Sequence, residues 1–188
     1  MKLLRYGPRG AEQPGVLDAD GQMRSLAAVV PDINGALLAD LPAALAGVDI
    51  GALPLVAAGT RVAEPVAGVG KFICIGLNYI DHAHEAGMAV PEEPIIFMKA
   101  TSAIIGPDDD VLLPPDSQKS DWEVELGLVI GREARYVSKA DAMAHVAGLV
   151  LVNDLSERHY QLERGGQWDK GKGCDTFGAF GPWLVTLG

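Results

Sequence analysis

The sequence predicts a mixed α/β protein, mainly β, and three observations carry that prediction. Short apolar runs such as Phe72–Ile75, Ile95–Met98 and Leu149–Val152 recur, each closed by Gly, Asn, Asp or a charged residue, as buried strands are. Trp122 to Ile130 alternates along its length, the period of a strand. Helix signals are confined to short stretches. With 188 residues, 48% hydrophobic and 21% charged, the chain can bury a real core as one domain, or one domain plus a small appendage.

Residues 1–65 read as a small N-terminal α+β domain. Lys2 to Tyr6 fits a short strand. Gly15-Val16-Leu17 and Met23 to Leu26 flank Asp18-Ala19-Asp20-Gly21, a hairpin signal with an Asp-Gly turn. The Ala/Leu-rich stretch from Gly35 to Ala46 predicts a helix broken near its middle by Pro42. Pro65 and Gly68 to Gly70 read as a linker. Residues 66–188 form the second unit. Phe72–Ile75 predicts a buried strand, Asn78 a cap for a helix from Tyr79 to about Ala86, and Ile95–Met98 another strand. A Pro/Asp-rich loop spans Pro107 to Asp121. Ser138 predicts a helix reaching about Ala147, and Leu149–Val152 a buried strand ending at Asn153-Asp154. A polar, Gly-containing segment and a final apolar run, Phe177 to Val185, complete the chain.

Composition excludes several function classes. The formal charge is −10 and the pI about 4.7. No Lys/Arg cluster makes a basic face, so no nucleic-acid partner is expected. Cys74 and Cys174 lack CxxC spacing and read as reduced, buried thiols. The N-terminus turns polar too early for a signal peptide, and no apolar run approaches the ~20 residues of a membrane helix. A soluble cytoplasmic protein without a membrane partner is the expectation.

The most informative stretch is Asp121-Trp122-Glu123-Val124-Glu125-Leu126. In a strand, Glu123 and Glu125 share one face, roughly 6.5 to 7 Å apart. Trp122, Val124, Leu126 and Leu128 take the other face and are expected to pack in a core. Two acids on one face repel unless neutralised, and a hard divalent cation such as Mg²⁺ or Mn²⁺ does this through carboxylate oxygens. A solvated strand face carrying two surface acids fits the same spacing. Asp154, at the end of a buried strand, is placed to be a third ligand. Asp154-Leu155-Ser156-Glu157 also fits a helix capping box, and both roles can hold together. Arg158 and Gln161 fall on nearly the same side of a helix after Asp154, where they either face a bound ligand or stand on the surface.

Asp81-His82-Ala83-His84-Glu85 lies where a strand turns into a helix. His82 and Glu85 are helix-face neighbours, and a carboxylate that orients an imidazole makes a general base. A solvated first turn is the alternative. Metal binding by His82 and His84 is a poor reading, because residues two apart on a helix diverge. Lys170 and Lys172 lie in a Gly-containing segment, and chemistry alone does not rank them.

Taken in order, Gly76 to Glu85, Pro94 to Lys99, Asp121 to Gly131, Asn153 to Arg158, Gln167 through Lys172 to Phe177, and Gly181-Pro182-Trp183 resemble the fumarylacetoacetate hydrolase family over about residues 70 to 186. The resemblance implies a rolled β-sheet catalytic core behind a small N-terminal domain, usually as a homodimer. It implies Glu123, Glu125 and Asp154 as metal ligands for Mg²⁺ or Mn²⁺, with Ca²⁺ as a substitute. It casts His82 and Glu85 as a water-activating dyad, Lys172 as the active-site lysine, and Arg158 and Gln161 as substrate contacts. A Pro is common in the family where Ala179 stands, a difference expected to affect only a turn. Family members extend further, so the chain is expected to lack their C-terminal part.

The activity so implied is that of a metal-dependent hydrolase or lyase of small 2-oxo acids. The substrate would chelate the metal through its carboxylate and 2-keto oxygen, and a metal-stabilised enolate would form. With His82 and Glu85 activating water, the reaction is hydrolytic C–C cleavage of an acylpyruvate-like 2,4-diketo acid. The Gln161-to-Asp175 segment leans toward 2,4-diketo-3-deoxy sugar acids. Ureidoglycolate lyase activity, or isomerisation, hydration or decarboxylation of a 2-oxo acid, is the alternative. The non-enzyme alternative is a catalytically silent fragment paired with another chain.

Overall fold

Strand β1 (Lys2–Tyr6), β2 (Gln13–Leu17) and β3 (Met23–Ser25) form an antiparallel meander in the computed structural model, which describes residues 1–85 and 87–187. The β2–β3 turn lies at the expected Asp-Gly, with Gly21 at φ 77 and the Asp18 carboxylate accepting from the Asp20 and Gln22 amides. The remaining elements are α1 (Gly35–Ala39), α2 (Leu41–Ala44), β4 (Val62–Ala63), β5 (Phe72–Gly76), α3 (Ile80–Glu85), β6 (Ile95–Lys99), β7 (Ile104–Ile105), β8 (Ser120–Asp121), β9 (Val124–Ile130), β10 (Val146–Asp154), β11 (Ser156–Glu157), α4 (Asp169–Lys172) and β12 (Gly178–Thr186). A π-helical turn spans His159–Glu163.

Strand β1 also pairs with β12, which pairs with β10, which pairs with β9. The principal sheet therefore runs β3-β2-β1-β12-β10-β9, with β4 added on β1 and β7 added in parallel on β12. Strands β5–β6 and β8–β11 make two further ladders. The expected boundary near residue 65 follows β4, yet Leu3, Val16 and Leu26 from before it share one apolar core with Val150, Val152, Phe180 and Leu184 from after it. Burying each such side chain contributes about 1.5–3 kcal/mol. The β10–β12 register shifts between Leu149 and Leu151, beside Gly181-Pro182, where Pro182 has no N–H to give the ladder.

Several expected elements form differently. The Gly35–Ala46 helix is two short helices, because the chain leaves helical geometry at Asp40 (φ −142) and Pro42 opens the second. The helix expected after Ser138 is one 3₁₀ turn, Ala142–His145, with Ser138 and Asp141 hydrogen-bonded to each other. Two-sided pairing of the nine-residue β10 takes the chain from Val146 onward. The Asp154 capping box does not form, because Ser156–Glu157 continues as β11 and pairs with β8. Ala179 lies within β12, paired with Asn153 and Ile105, and not in a turn. Asn78 points its amide at Glu125. Ala86, the expected helix end, and Gly188 lie outside the described residues.

The largest correction concerns which strand faces are buried. Trp122, Val124, Leu126, Leu128 and Ile130 stand outside, each more than half exposed, as do Ile73, Ile96 and Leu151. The inward face of β9 carries the acids instead. Val129 packs on the core and Gly127 fits under Val150 and Val152, where a Cβ would approach within 2.8 Å. Glu125 and Glu123 follow on the same face. Among the described residues no helix is long and apolar enough to cross a membrane.

A clasp of charges ties the loop after β7 to the first strands. The Arg61 guanidinium donates to Asp109 at 2.7 and 2.6 Å and to the Gly7 carbonyl at 3.0 Å. Hydrogen bonding from Arg61 holds the Asp109 carboxyl down at about 2. A depressed folded-state value stabilises the fold above the ordinary carboxylate value of 3.8, and that contribution is lost as pH falls through about 2. Asp109→Asn should therefore lower the melting temperature at neutral pH, with the gap to wild type closing between those two values. Thermal melts across that range check it, and a gap independent of pH would remove the assignment.

Candidate active site

Two strand ends and one short helix deliver charge to a single cavity of about 790 Å³. β9 and the residue before it supply Glu125 and Glu123, and β10 ends at Asp154, 4% exposed. The two strands are locked in register here, since the Asp154 amide donates to the Glu123 carbonyl at 2.9 Å. Helix α4 supplies Lys172, only 2% exposed. It comes this close because Gly171 has no side chain: a Cβ there would lie 2.3 Å from the Glu157 carbonyl oxygen.

Lys172 Nζ donates to Glu123 Oε2 at 2.5 Å and to Asp154 Oδ2 at 2.8 Å. The other oxygen of Asp154 accepts from Lys99 Nζ at 2.6 Å, and Lys99 also donates to the Leu155 carbonyl at 2.9 Å. The structure thus ranks the two lysines that chemistry left equal. Lys172 enters the site, whereas Lys170 is exposed and donates to the Arg164 carbonyl at 2.6 Å. Arg158 pairs with Glu123, holds Asp121 Oδ2 at 2.7 Å and donates to Gln161 Oε1 at 3.0 Å. Gln161 is buried, so Arg158 and Gln161 are brought together at the cavity wall.

His82 stands above the acids on α3. Its Nε2 is 3.7 Å from Glu123 Oε1 and its Nδ1 4.0 Å from Glu85 Oε2, which joins the expected pair while His84 stays exposed. The turn leading to this helix passes through Leu77 at φ 51, a left-handed conformation that costs a non-glycine residue of order 1 kcal/mol or more and concentrates at functional sites. Trp168 closes the cavity, edge-on to Phe97 and so tight against Gly76 that a Cβ there would meet its ring at 2.4 Å.

Burial, offset by the Asn78 hydrogen bond and reinforced by Glu123 and Asp154, pushes the Glu125 carboxyl above its ordinary value. Burial and then the Asp154 charge push the Cys74 thiol up to about 12, so Cys74 is an inert thiol on the site's edge. Among the described residues no group of three or more Asp, Glu, His or Cys side chains stands close enough to hold a metal ion, and the Lys172 ammonium lies between Glu123 and Asp154. The donor chemistry nonetheless suits a hard cation: three carboxylates share the inward face, and the charges of two of them act on the third.

Lys99 was not expected. Its signal was available: it ends the run Ile95-Ile96-Phe97-Met98 in phase with buried Phe97. Alternation places it inward.

With this geometry in place, comparison with known proteins identifies the family. A model described as the fumarylacetoacetate (FAA) hydrolase C-terminal domain matches residues 71–188. The chain belongs to the fumarylacetoacetate hydrolase family. A curated relative from Burkholderia lata, named provisionally as a hydrolase, is 59% identical over 187 residues, covering 99% of this chain and 66% of its own length. Among solved structures, a fumarylacetoacetate hydrolase from Exiguobacterium antarcticum is 30% identical with a TM-score of 0.79, covering 99% of this chain and 66% of that one. A 2-hydroxyhepta-2,4-diene-1,7-dioate isomerase from Mycobacterium marinum is 30% identical with a TM-score of 0.72, at the same coverage. The chain therefore spans about two thirds of the length of the relatives it matches.

Removing one partner of a buried ion pair leaves the other charge uncompensated, at a cost of about 3–5 kcal/mol. Lys99→Met should lose stability on that scale, and clearly less when Asp154→Asn is already present. A double-mutant cycle by urea unfolding measures it; additive losses would show that Lys99 and Asp154 are not coupled.

Proposed function

We propose that this protein hydrolyses a carbon–carbon bond in a 2,4-diketo acid of the acylpyruvate type. The observation that carries the reading is the position of His82, one ring nitrogen over Glu123 and the other toward Glu85, above a floor of half-buried Glu123 and Glu125 and buried Asp154 and Lys172. A base placed above a charge-stabilising floor is what attack by water on a carbonyl needs.

Glu123, Glu125 and Asp154 would hold a divalent cation, Mg²⁺ or Mn²⁺. When bound, it supplies Lewis-acid polarisation of the 2-oxo oxygen and balances the charge developing there. Arg158 and Gln161 bind and orient the substrate carboxylate. His82, oriented by Glu85, takes a proton from water as the water oxygen bonds to C4. The C3–C4 bond then breaks, its electron pair moves to C3 as the enolate of the 2-oxo acid, and a proton returned to C3 completes the products: one carboxylic acid and one 2-oxo acid. Lys172, beside Glu123 and Asp154, provides fixed positive charge next to the enolate.

A second reading, isomerisation of an unsaturated 2-oxo acid, is favoured by solved relatives named as isomerases. It needs proton movement at C3 but no water. His82→Ala should reduce cleavage of an acylpyruvate in Mg²⁺ by about 10² or more, with cation affinity nearly unchanged. Pyruvate release followed through lactate dehydrogenase, together with calorimetry of Mg²⁺ binding, tests this. A parallel fall in Mg²⁺ affinity would make His82 a ligand, and isomerised substrate without pyruvate would establish the second reading.

A further inference from the structure

The cavity is chemically lopsided. Its floor carries charge, while Ile75, Tyr79, Met88, Leu162 and Trp168 form apolar walls. Five acids line it: Glu85, Asp121, Glu123, Glu125 and Asp154. Among the described residues its lining cations, besides the His82 imidazole, are Arg158 and Lys172. Both already face carboxylates, Arg158 those of Asp121 and Glu123, and Lys172 those of Glu123 and Asp154. Lys99 lies behind the floor, spent on Asp154.

These three cations leave two negative charges in excess, which one divalent cation would cancel. A substrate bearing a single carboxylate at its 2-oxo end adds a charge that the cation and Arg158 can share. A second carboxylate at the far end would meet Leu162, Met88 and Tyr79, with no unpaired cation beside it among the described residues and acidic neighbours below. The like charge of those acids disfavours it there, and no cation offsets the repulsion.

Resting on the proposed function, we infer that this protein takes monocarboxylic 2-oxo acids whose distal group is an uncharged, apolar chain. This sets it apart from relatives whose names specify a 1,7-dioate. The walls are half exposed, Met88 at 46% and Leu162 at 55%, so each added methylene contributes about half of the roughly four-fold that full burial gives.

Calorimetry in saturating Mg²⁺ with pyruvate, 2-oxohexanoate and 2-oxoadipate tests the inference, since the last two have chains of equal length and differ in the terminal carboxylate. 2-Oxohexanoate should bind about ten-fold tighter than pyruvate and at least ten-fold tighter than 2-oxoadipate. Leu162→Arg, at an exposed position, should close or invert that second ratio. Equal or tighter binding of 2-oxoadipate by the unaltered protein would overturn the inference alone. Failure of all three acids to bind while Mg²⁺ itself binds would overturn the proposed function and this inference with it.

Discussion

Two buried ammonium groups hold this site together. Lys99 and Lys172 grip the two oxygens of Asp154 from opposite sides, and Lys172 reaches on to Glu123. Burying an ion costs several kcal/mol, so neither the lysines nor the acids are tolerable here alone. Their mutual compensation fixes β6, β10 and α4 at hydrogen-bond distance from one another. Asp154 is then aimed by two partners instead of one, which leaves little rotational freedom in a group the proposed chemistry needs in one place. Phe97 adds to the restraint by placing its ring 5.0 Å from Lys172 Nζ.

The second constraint is strand parity. On β9 and β10 the inward residues form one column each, apolar at the core end and ionic at the cavity end: Val129 to Glu123 and Val150 to Asp154. The sheet therefore makes a core and a site from the same face, and the apolar end anchors the charged end. The same parity places Leu126, Leu128 and Leu151 outside, an arrangement that composition alone would have reversed.

Much of this was legible in the sequence. The short apolar runs became strands, the Asp-Gly turn formed, and the Glu-x-Glu pair landed on one face, because two-residue periodicity is a local property. Its orientation was not legible. Whether the acids or the leucines of β9 face inward depends on which neighbours cover each side, and the sequence does not contain that information locally. Asp154-Leu155-Ser156-Glu157 has the pattern of a helix cap, but Glu157 is fully buried and bonded to Ser117, Ser120 and the Lys119 amide, so tertiary contacts overrode the local signal. Lys170 and Lys172 could be separated only by the path of a four-residue helix packed through Gly171.

Strand parity also governs which changes in length the chain can accept. An inserted residue between Glu125 and Val129 would carry every side chain before it to the opposite face. Both glutamates would turn away from Asp154 and Lys172, and Trp122 and Val124 would take their inward places. The same holds for β10 between Val150 and Asp154. Point changes on the outward columns disturb no such alignment. Divergence in this lineage is thus free to proceed by substitution on the outer surface and by length variation in the loops, whereas the interior stretches of these two strands admit neither a gained nor a lost codon without forfeiting the ionic column.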